Sequence, residues 1–438
     1  MVAFNQYVRV YEYEVHVLVY NTITGEIIIL PKEYVDGNTI TEQISISLKE
    51  YMYKHYFFNR DLPWDKFRKR YEANNRLLIS LETFLACNLS CPYCYQINNS
   101  HLKARISKEN LDLLFEYIVK VHQEVQFDIL LLKILGGEPT LDWSPSEYLL
   151  QKVIPFCKQN NIKLNLRVDT NCTDISSLVS ITGYDSILFT VPLCHKEIHD
   201  KYRHYRNGKG TYDDIIENIL VLEKMPNSTV VIRHNTDSHN IIRFHDFLDD
   251  ICTKGLRAPL IMPQFTTNPA LGEYKNQLTY DKYVKWVSSE CIDSLVEHKL
   301  NVHFAPRLLL NGKCMQWSHF SLKLFSDGKV GACAAHFFDQ SNPYISDILA
   351  NGLESIKTFW NATKSTDLFG DEKCSKCPSF FACSGHYKLP CIKDLNLEKC
   401  KPETNMYLNW TLYFRTLYKY IVDGKQGYFL GHNIKFID

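Results

Sequence analysis

Three cysteines stand close together in the run Leu81-Glu82-Thr83-Phe84-Leu85-Ala86-Cys87-Asn88-Leu89-Ser90-Cys91-Pro92-Tyr93-Cys94-Tyr95. An apolar strand runs here into a loop, with three and then two residues between Cys87, Cys91 and Cys94. Three thiolates on one short loop can hold three irons of a [4Fe–4S] cube and leave the fourth open to a small chelating ligand. The bland alternative is zinc, which suits thiolates equally well. A second set of seven fills the last third: Cys314, Cys333, Cys374, Cys377, Cys383, Cys391 and Cys400. Cys374-x2-Cys377 is a chelating turn, and seven thiols are too many for one tetrahedral site. The other five of the fifteen cysteines, Cys157, Cys172, Cys194, Cys252 and Cys291, are scattered.

Nothing else in the composition is unusual. A chain of 438 residues is long for one domain and predicts two or three units with sizeable cores. A formal net charge of zero gives no global electrostatic case for nucleic acid or a membrane surface. No apolar run approaches the roughly 18 uncharged residues that a membrane span needs. Met1-Val2-Ala3-Phe4-Asn5 lacks the charged-then-apolar layout of a secretion signal. The expectation is a cytoplasmic protein with no nucleic-acid and no membrane partner. Disulfides are not expected in a reducing cytosol, which leaves metal ligation to explain the cysteines.

The elements that must position these thiols follow from periodicity. Apolar strands at Leu77–Leu85, Asp128–Leu135, Lys163–Asp169, Ser186–Val191, Thr229–His234 and Leu260–Phe265 alternate with helical stretches. Such alternation implies βαβ units, a parallel sheet and helices outside it. Six units make an α/β fold, a partial (β/α)6 version of the TIM-type barrel, whose functional groups gather at the C-terminal ends of the strands. The first strand ends in the cysteine loop, and the second in Gly136-Gly137-Glu138-Pro139-Thr140. Paired glycines let a backbone approach a ligand closely, and strand-edge carbonyls with Glu138 can accept hydrogen bonds from an ammonium. The third strand ends in Asp169-Thr170-Asn171-Cys172. After the fourth come Cys194, then His199-Asp200-Lys201-Tyr202-Arg203 and a glycine-rich turn at Gly208-Lys209-Gly210. Asn235 and Asn240 follow the fifth.

Ahead of this, Tyr7–Tyr20 alternates like a strand, Asn21–Glu26 is a turn, Ile27–Leu30 answers as a second strand, and Glu42–Phe57 has helical spacing. Such a β-hairpin and helix unit could dock an extended peptide along an exposed edge, or simply cap the barrel. Phe325-Ser326-Asp327-Gly328-Lys329-Val330 reads as a hairpin turn. Pro402–Tyr420 reads as a helix that covers a cluster or belongs to the core. The domain reading is 1–75 for the N-terminal unit, 76–300 for the barrel and 301–438 for the cysteine-rich end.

CxxxCxxC with Tyr93 before its third cysteine, followed one strand later by GGEP, resembles the radical SAM superfamily. The resemblance implies a [4Fe–4S] cluster on Cys87, Cys91 and Cys94, with S-adenosylmethionine (SAM) on the open iron. It also implies cofactor-binding positions at Tyr93, Gly136, Gly137, Glu138 and Pro139, the last four holding the SAM amino group. Thr170 and Asn171 would face the ribose, although Cys172 replaces the glycine of relatives. Arg203 would pair with the SAM carboxylate, a task suited to a guanidinium. Relatives carry Ser-Leu-Asp-Gly after the fourth strand; Thr190-Val191-Pro192-Leu193-Cys194 offers no acid there.

The last third resembles the SPASM extension, usually CxxCx5Cx3C, with seven residues here before Cys391. By that pattern Cys374, Cys377, Cys383 and Cys400 hold one auxiliary [4Fe–4S] cluster, and Cys314, Cys333 and Cys391 hold three irons of a second. The last iron is open or bound by Cys291, the open iron being preferred. The whole implies an enzyme, a radical SAM peptide maturase. It would take hydrogen from a ribosomally made precursor peptide with a leader and install a cross-link (C–C, ether or thioether). Its electrons would come from an external one-electron reductant of flavodoxin or ferredoxin type. The alternatives are a sulfatase-maturing enzyme, a peptide epimerase using Cys172 or Cys194 as hydrogen donor, and a non-enzymatic metal-binding scaffold that docks peptides. Sulfatase-maturing enzymes begin almost directly at the cysteine loop, whereas about 75 residues precede it here.

Overall fold

Six short runs rich in Leu, Ile and Val, each bounded by polar or turn residues, form parallel strands. They are β1 (Arg76–Glu82), β2 (Ile129–Leu135), β3 (Lys163–Asp169), β4 (Ser186–Pro192), β5 (Ser228–Thr236) and β6 (Leu260–Phe265). The computed structural model describes residues 1–73, 75–94, 96, 105–256, 260–266, 275–306, 308–309, 315, 318, 320–332, 342–363, 367–383, 404–405 and 408–437. Within it the chain divides into two compact units: Asn74–Leu278 with Met315–Thr366, and Met1–Ala73 with Thr279–Cys314 and Asp367–Asp438.

In the first unit the strands pair in chain order, and β7 (Leu322–Leu324) and β8 (Val330–Gly331) extend the sheet beyond β1, giving β6-β5-β4-β3-β2-β1-β7-β8. β7 runs parallel to β1, and β8 antiparallel to β7. Their turn is the hairpin expected from the sequence: Asp327 Oδ1 accepts from Lys329 N at 3.1 Å, and Gly328 takes the left-handed φ of +88°.

Alternation sets the two faces of the sheet. Leu130, Leu132, Ile134, Leu166, Val168, Ile187, Phe189, Val191 and Ile232 are buried on one face. Helices cover them, among them α1 (Lys108–Val125), α2 (Ser144–Gln159), α3 (Lys196–Tyr202), α4 (Tyr212–Leu222) and α5 (Phe244–Thr253). α1 begins where Ser107 Oγ accepts from Asn110 N at 3.2 Å, buries Leu111, Leu114, Ile118 and Val121, and stops at left-handed Gln126. The opposite face carries Lys133, Arg167, Asp169, Arg233 and Asn235, all partly exposed.

In the second unit, Tyr7–Tyr20 is not one strand. Tyr13–Val15 turns, with Tyr13 N donating to His16 O at 2.9 Å, so Val8–Glu12 and His16–Asn21 form a hairpin continued by Glu26–Pro31. The alternation persists through the bend, and Val15, 61% exposed, simply lies at the tip. Asn433–Phe436 pairs with Glu26–Pro31 and leaves Val8–Glu12 as the other edge. The helix at 42–57 is shorter than its spacing suggests, Ile46–Lys54, capped where Ser45 accepts from Leu48 N. The aromatic tail forms Trp410–Val422, whose buried face packs on the N-terminal sheet: Phe414 lies 4.6 Å from the Tyr20 ring and Tyr418 stacks at 3.9 Å on Tyr13. Among the described residues no helix is long and apolar enough to cross a membrane.

Candidate functional site

β1 ends at Glu82, earlier than its apolar run suggests, although the backbone beyond it keeps bonding to the continuation of β2. Gly137 N donates to Phe84 O at 2.7 Å and Glu138 N to Ala86 O at 2.9 Å. A Cβ on Gly136 would sit 2.2 Å from Phe84 O, and one on Gly137 would sit 2.1 Å from Leu85 O and 2.4 Å from Ala86 O. The glycine pair therefore gives the base of the cysteine loop room to approach.

Glu138 is fully buried at the end of β2. Its Oε1 accepts from Thr140 N (3.1 Å), Thr140 Oγ1 (2.8 Å) and Thr170 Oγ1 (2.8 Å), while Oε2 accepts from Asn171 N (2.5 Å). Burial raises its pKa, and these four donors work against that rise. One carboxylate thus ties the end of β2 to the end of β3, and Pro139 follows it into a single 3-10 turn, Pro139–Asp142.

That tie aims Asn171 at the loop. Asn171 Nδ2 donates to Asn88 Oδ1 at 2.7 Å and lies 3.8 Å from Cys87 Sγ, and Asn88 Nδ2 donates to Thr173 Oγ1 at 2.9 Å. Asn88 was not singled out from the sequence, though its place between the first two cysteines was the available signal. Arg206, also missed, reaches Cys87 O at 3.1 Å.

Arg203 closes the site from the other side. His199 is buried within α3 and shares a hydrogen bond with Thr211 Oγ1 at 3.1 Å; Thr211 in turn donates to Arg203 O. Asp200 Oδ1 accepts from Thr211 N at 2.8 Å and Tyr212 N at 2.9 Å, fastening α3 to the start of α4. Arg203, 5% exposed, then places Nη1 3.3 Å from Cys91 Sγ and 3.4 Å from the Tyr93 hydroxyl. Burial opposes its charge, but Cys91 and Tyr93 more than offset that and raise its pKa. Its Nε is buried without a hydrogen-bond partner among the described residues.

Cys87, Cys91 and Cys94 are all unpaired, and Cys91 lies near enough to raise the pKa of both others. Burial is the larger cause, and it pushes Cys87 up to about 11. A metal cation would reverse that, since coordination deprotonates a thiol outright. Three soft donors on one loop, a buried guanidinium beside one and an amide beside another fit an iron–sulfur group with a carboxylate-bearing ligand.

The structure separates the two candidate thiols. Cys194, two residues beyond β4, is 7% exposed; burial pushes its pKa up to about 12, with Arg203 acting against the rise. Cys172 is fully buried, and its backbone adopts the left-handed φ of +62° that a glycine takes without strain. Asn235 is near enough to the Tyr93 hydroxyl to lower its pKa, and Asn240 Nδ2 donates to Asn235 O at 2.6 Å. Of the later cysteines, Cys374 N donates to Asp371 Oδ1 at 2.8 Å, and Cys377 N to Cys374 O at 2.9 Å, so these two share one tight turn. Cys383 ends the short helix Phe380–Cys383, and Cys291 is buried in the helix Glu290–Glu297. Cys314, Cys333, Cys391 and Cys400 lie outside the described residues.

The parallel α/β sheet gathers three thiols, a buried arginine and two strand-end amide groups at one mouth. Several known proteins are similar to the chain. Over 323 residues the chain is 27% identical to the cysteine-type anaerobic sulfatase-maturating enzyme of Clostridium novyi, covering 68% of this chain and 83% of that enzyme. Over 215 residues it is 25% identical to an uncharacterised protein of Methanocaldococcus jannaschii, covering 45% of this chain and 70% of that one. The structure of native anSMEcpe with bound AdoMet matches with a TM-score of 0.56 at 19% identity, covering 80% of this chain and 99% of that chain. The same protein with AdoMet and the Cp18Cys peptide matches at 0.55 and 18%, with the same coverage. These structural likenesses establish the fold. No protein-family profile matches the chain.

Proposed function

We propose that this protein is a radical SAM maturase acting on a ribosomally made peptide. The observation that carries the reading is the convergence of Arg203, Tyr93 and Asn171 on the Cys87/Cys91/Cys94 loop. In this reading the three cysteines hold a [4Fe–4S] cluster, Arg203 takes the SAM carboxylate, and Thr170 and Asn171 face the ribose. The strand-end backbone at Gly136–Pro139 takes the SAM amino group, with Glu138 acting chiefly as the tether that holds Asn171 in place. When bound, the cluster and SAM together supply one-electron cleavage of the sulfonium and a carbon radical that removes hydrogen from the peptide.

The protein's own part is positioning and exclusion of water, because hydrogen abstraction requires near-contact. The buried chain from His199 through Thr211 to Arg203 fixes the guanidinium before any ligand arrives. Residues 1–75 are assigned to leader docking, with Val8–Glu12 as the available edge. Residues 76–300 are assigned to SAM chemistry, and 301–438 to SPASM-type auxiliary clusters, of which Cys374 and Cys377 supply one turn. An external flavodoxin- or ferredoxin-type reductant and a cytoplasmic setting complete the proposal.

A second reading, maturation of a sulfatase, is favoured by the 27% identity to the Clostridium novyi enzyme. An epimerase would need a thiol donor at the site, for which Cys194 and Cys172 are the two candidates. Anaerobic reconstitution with iron and sulfide, followed by dithionite and SAM, tests the class: visible charge-transfer absorbance and methionine release are expected, and a zinc-only protein without cleavage refutes it. Mass spectrometry of a reacted peptide separates the outcomes, since a cross-link loses two hydrogens and epimerisation leaves the mass unchanged.

A further inference from the structure

The inward face of the parallel sheet carries charge that the cysteine site does not use. Lys133 on β2, Arg167 and Asp169 on β3 and Arg233 on β5 are brought to one face by the alternation of their strands, with Lys133 directly beside Arg167 in the register. Asp169 Oδ2 receives Lys133 Nζ at 2.6 Å, and its Oδ1 receives Arg167 Nε at 3.3 Å. The side chains are recessed yet reached by solvent, with 19% of Lys133, 21% of Asp169 and 34% of Arg167 exposed. Both carboxylate oxygens are therefore engaged, and among the described residues of this cluster three cations share one acid. Arg233 is the remainder, and its Nε is buried with no hydrogen-bond partner among the described residues.

Its place on the strand is informative. Asn235, two residues further along the same face of β5, is near enough to the Tyr93 hydroxyl to lower its pKa. Arg233 lies one pleat, roughly 7 Å along the strand, before Asn235. A guanidinium in a recess with a donor unmet is a cost until an anion arrives, and a carboxylate matches its planar fork.

Resting on the peptide reading above, we propose that this face binds a carboxylate of the substrate. Arg233 is its main partner, and the Lys133–Asp169–Arg167 row holds the surrounding potential positive. The acid is an Asp or Glu side chain about two residues from the one attacked, since an extended peptide advances about 3.3 Å per residue, or else the peptide's C-terminal carboxylate.

The test uses the full-length reconstituted protein and three matched sets of fluorescent random peptides. One has a central Glu and an amidated end, one a central Gln and an amidated end, and one a central Gln with a free carboxylate. Anisotropy should show the Glu set or the free-carboxylate set binding about tenfold more tightly than the amidated Gln set, and which of the two does so identifies the source of the anion. The preference should disappear in Arg233→Gln and partly survive in Arg233→Lys. Equal binding of all three sets by the wild-type protein overturns the proposal even if the variants fail to fold. So does a preference that survives Arg233→Gln, or a loss of SAM binding in that variant, which would assign the anion to the cofactor. Dithionite-driven SAM cleavage by the wild-type protein tests the class reading separately: cleavage without acid preference sinks this inference alone.

Discussion

Replacing Gly137 with alanine sets a methyl group against two backbone oxygens, at 2.1 Å from Leu85 O and 2.4 Å from Ala86 O. Neither oxygen can rotate away as a side chain would, so the base of the cysteine loop must move by roughly 1 Å to reach ordinary contact. That shift stretches the bonds from Gly137 N to Phe84 O and from Glu138 N to Ala86 O, now 2.7 and 2.9 Å. Two backbone hydrogen bonds at about 1 kcal/mol each and an overpacking cost of about 1–3 kcal/mol give about 3–5 kcal/mol in all. Because Cys87 follows Ala86 directly, the same movement displaces the first thiol. Urea unfolding should show a lowered midpoint for the transition of the sheet unit, and anaerobic reconstitution should yield less iron per chain. An unchanged midpoint together with full iron content would refute the packing argument. A lowered midpoint with full iron content would refute its coupling to the thiols.

Glu138→Gln should destabilise by about 2–4 kcal/mol, because its amide nitrogen would face either the Asn171 N–H or the Thr140 and Thr170 donors; unaltered urea unfolding would mean that the carboxylate is no tether. Lys323→Met should cost about 3–5 kcal/mol by stranding buried Glu82, 3.7 Å away, and adding Glu82→Met should recover most of it in a double-mutant cycle. Burial by itself would raise the pKa of Asp169, but Lys133, Arg167 and Arg233 overcome it and hold the acid at about 2. This depressed pKa contributes stability above the unfolded value near 4 that is lost as pH falls towards 2. Asp169→Asn should therefore remove about 2 kcal/mol of acid-dependent stability, measured by unfolding between those limits. Cys194 should react with an alkylating reagent in the metal-free protein before fully buried Cys172 does, and mass mapping after brief exposure checks the order.

The strands of the sheet were legible because each apolar run is short, keeps its buried alternate positions apolar even where Lys133, Arg167 or Arg233 intervenes, and is followed by a polar turn. Their C-terminal ends were legible for the same reason, except that β1 stops at Glu82 rather than at Leu85. What failed was local. Tyr7–Tyr20 keeps its period of two through a bend, and periodicity carries no record of a reversal when the tip residue is itself apolar Val15. The glycine pair signalled close approach, but not that the chain's own backbone at Phe84, Leu85 and Ala86 would be one of the groups approaching. Cys172 stood out as a departure from glycine, and its left-handed φ shows that the backbone requirement persisted after the side chain changed. Glu82, Gln96, Ser326 and Lys323 form a buried polar group that no local pattern announced, since it joins positions more than 200 residues apart.

That long-range pairing bears on how the protein is made. β1 is the first strand of its sheet to be synthesised, yet β7, its neighbour on one side, arrives only at residue 322. Until then the nascent sheet carries an open flank on β1, a template for pairing with other chains at a ribosome. Chaperone dependence of yield should therefore ease sharply for truncations that extend past the β7–β8 hairpin, which acts as the late stitch that seals the flank.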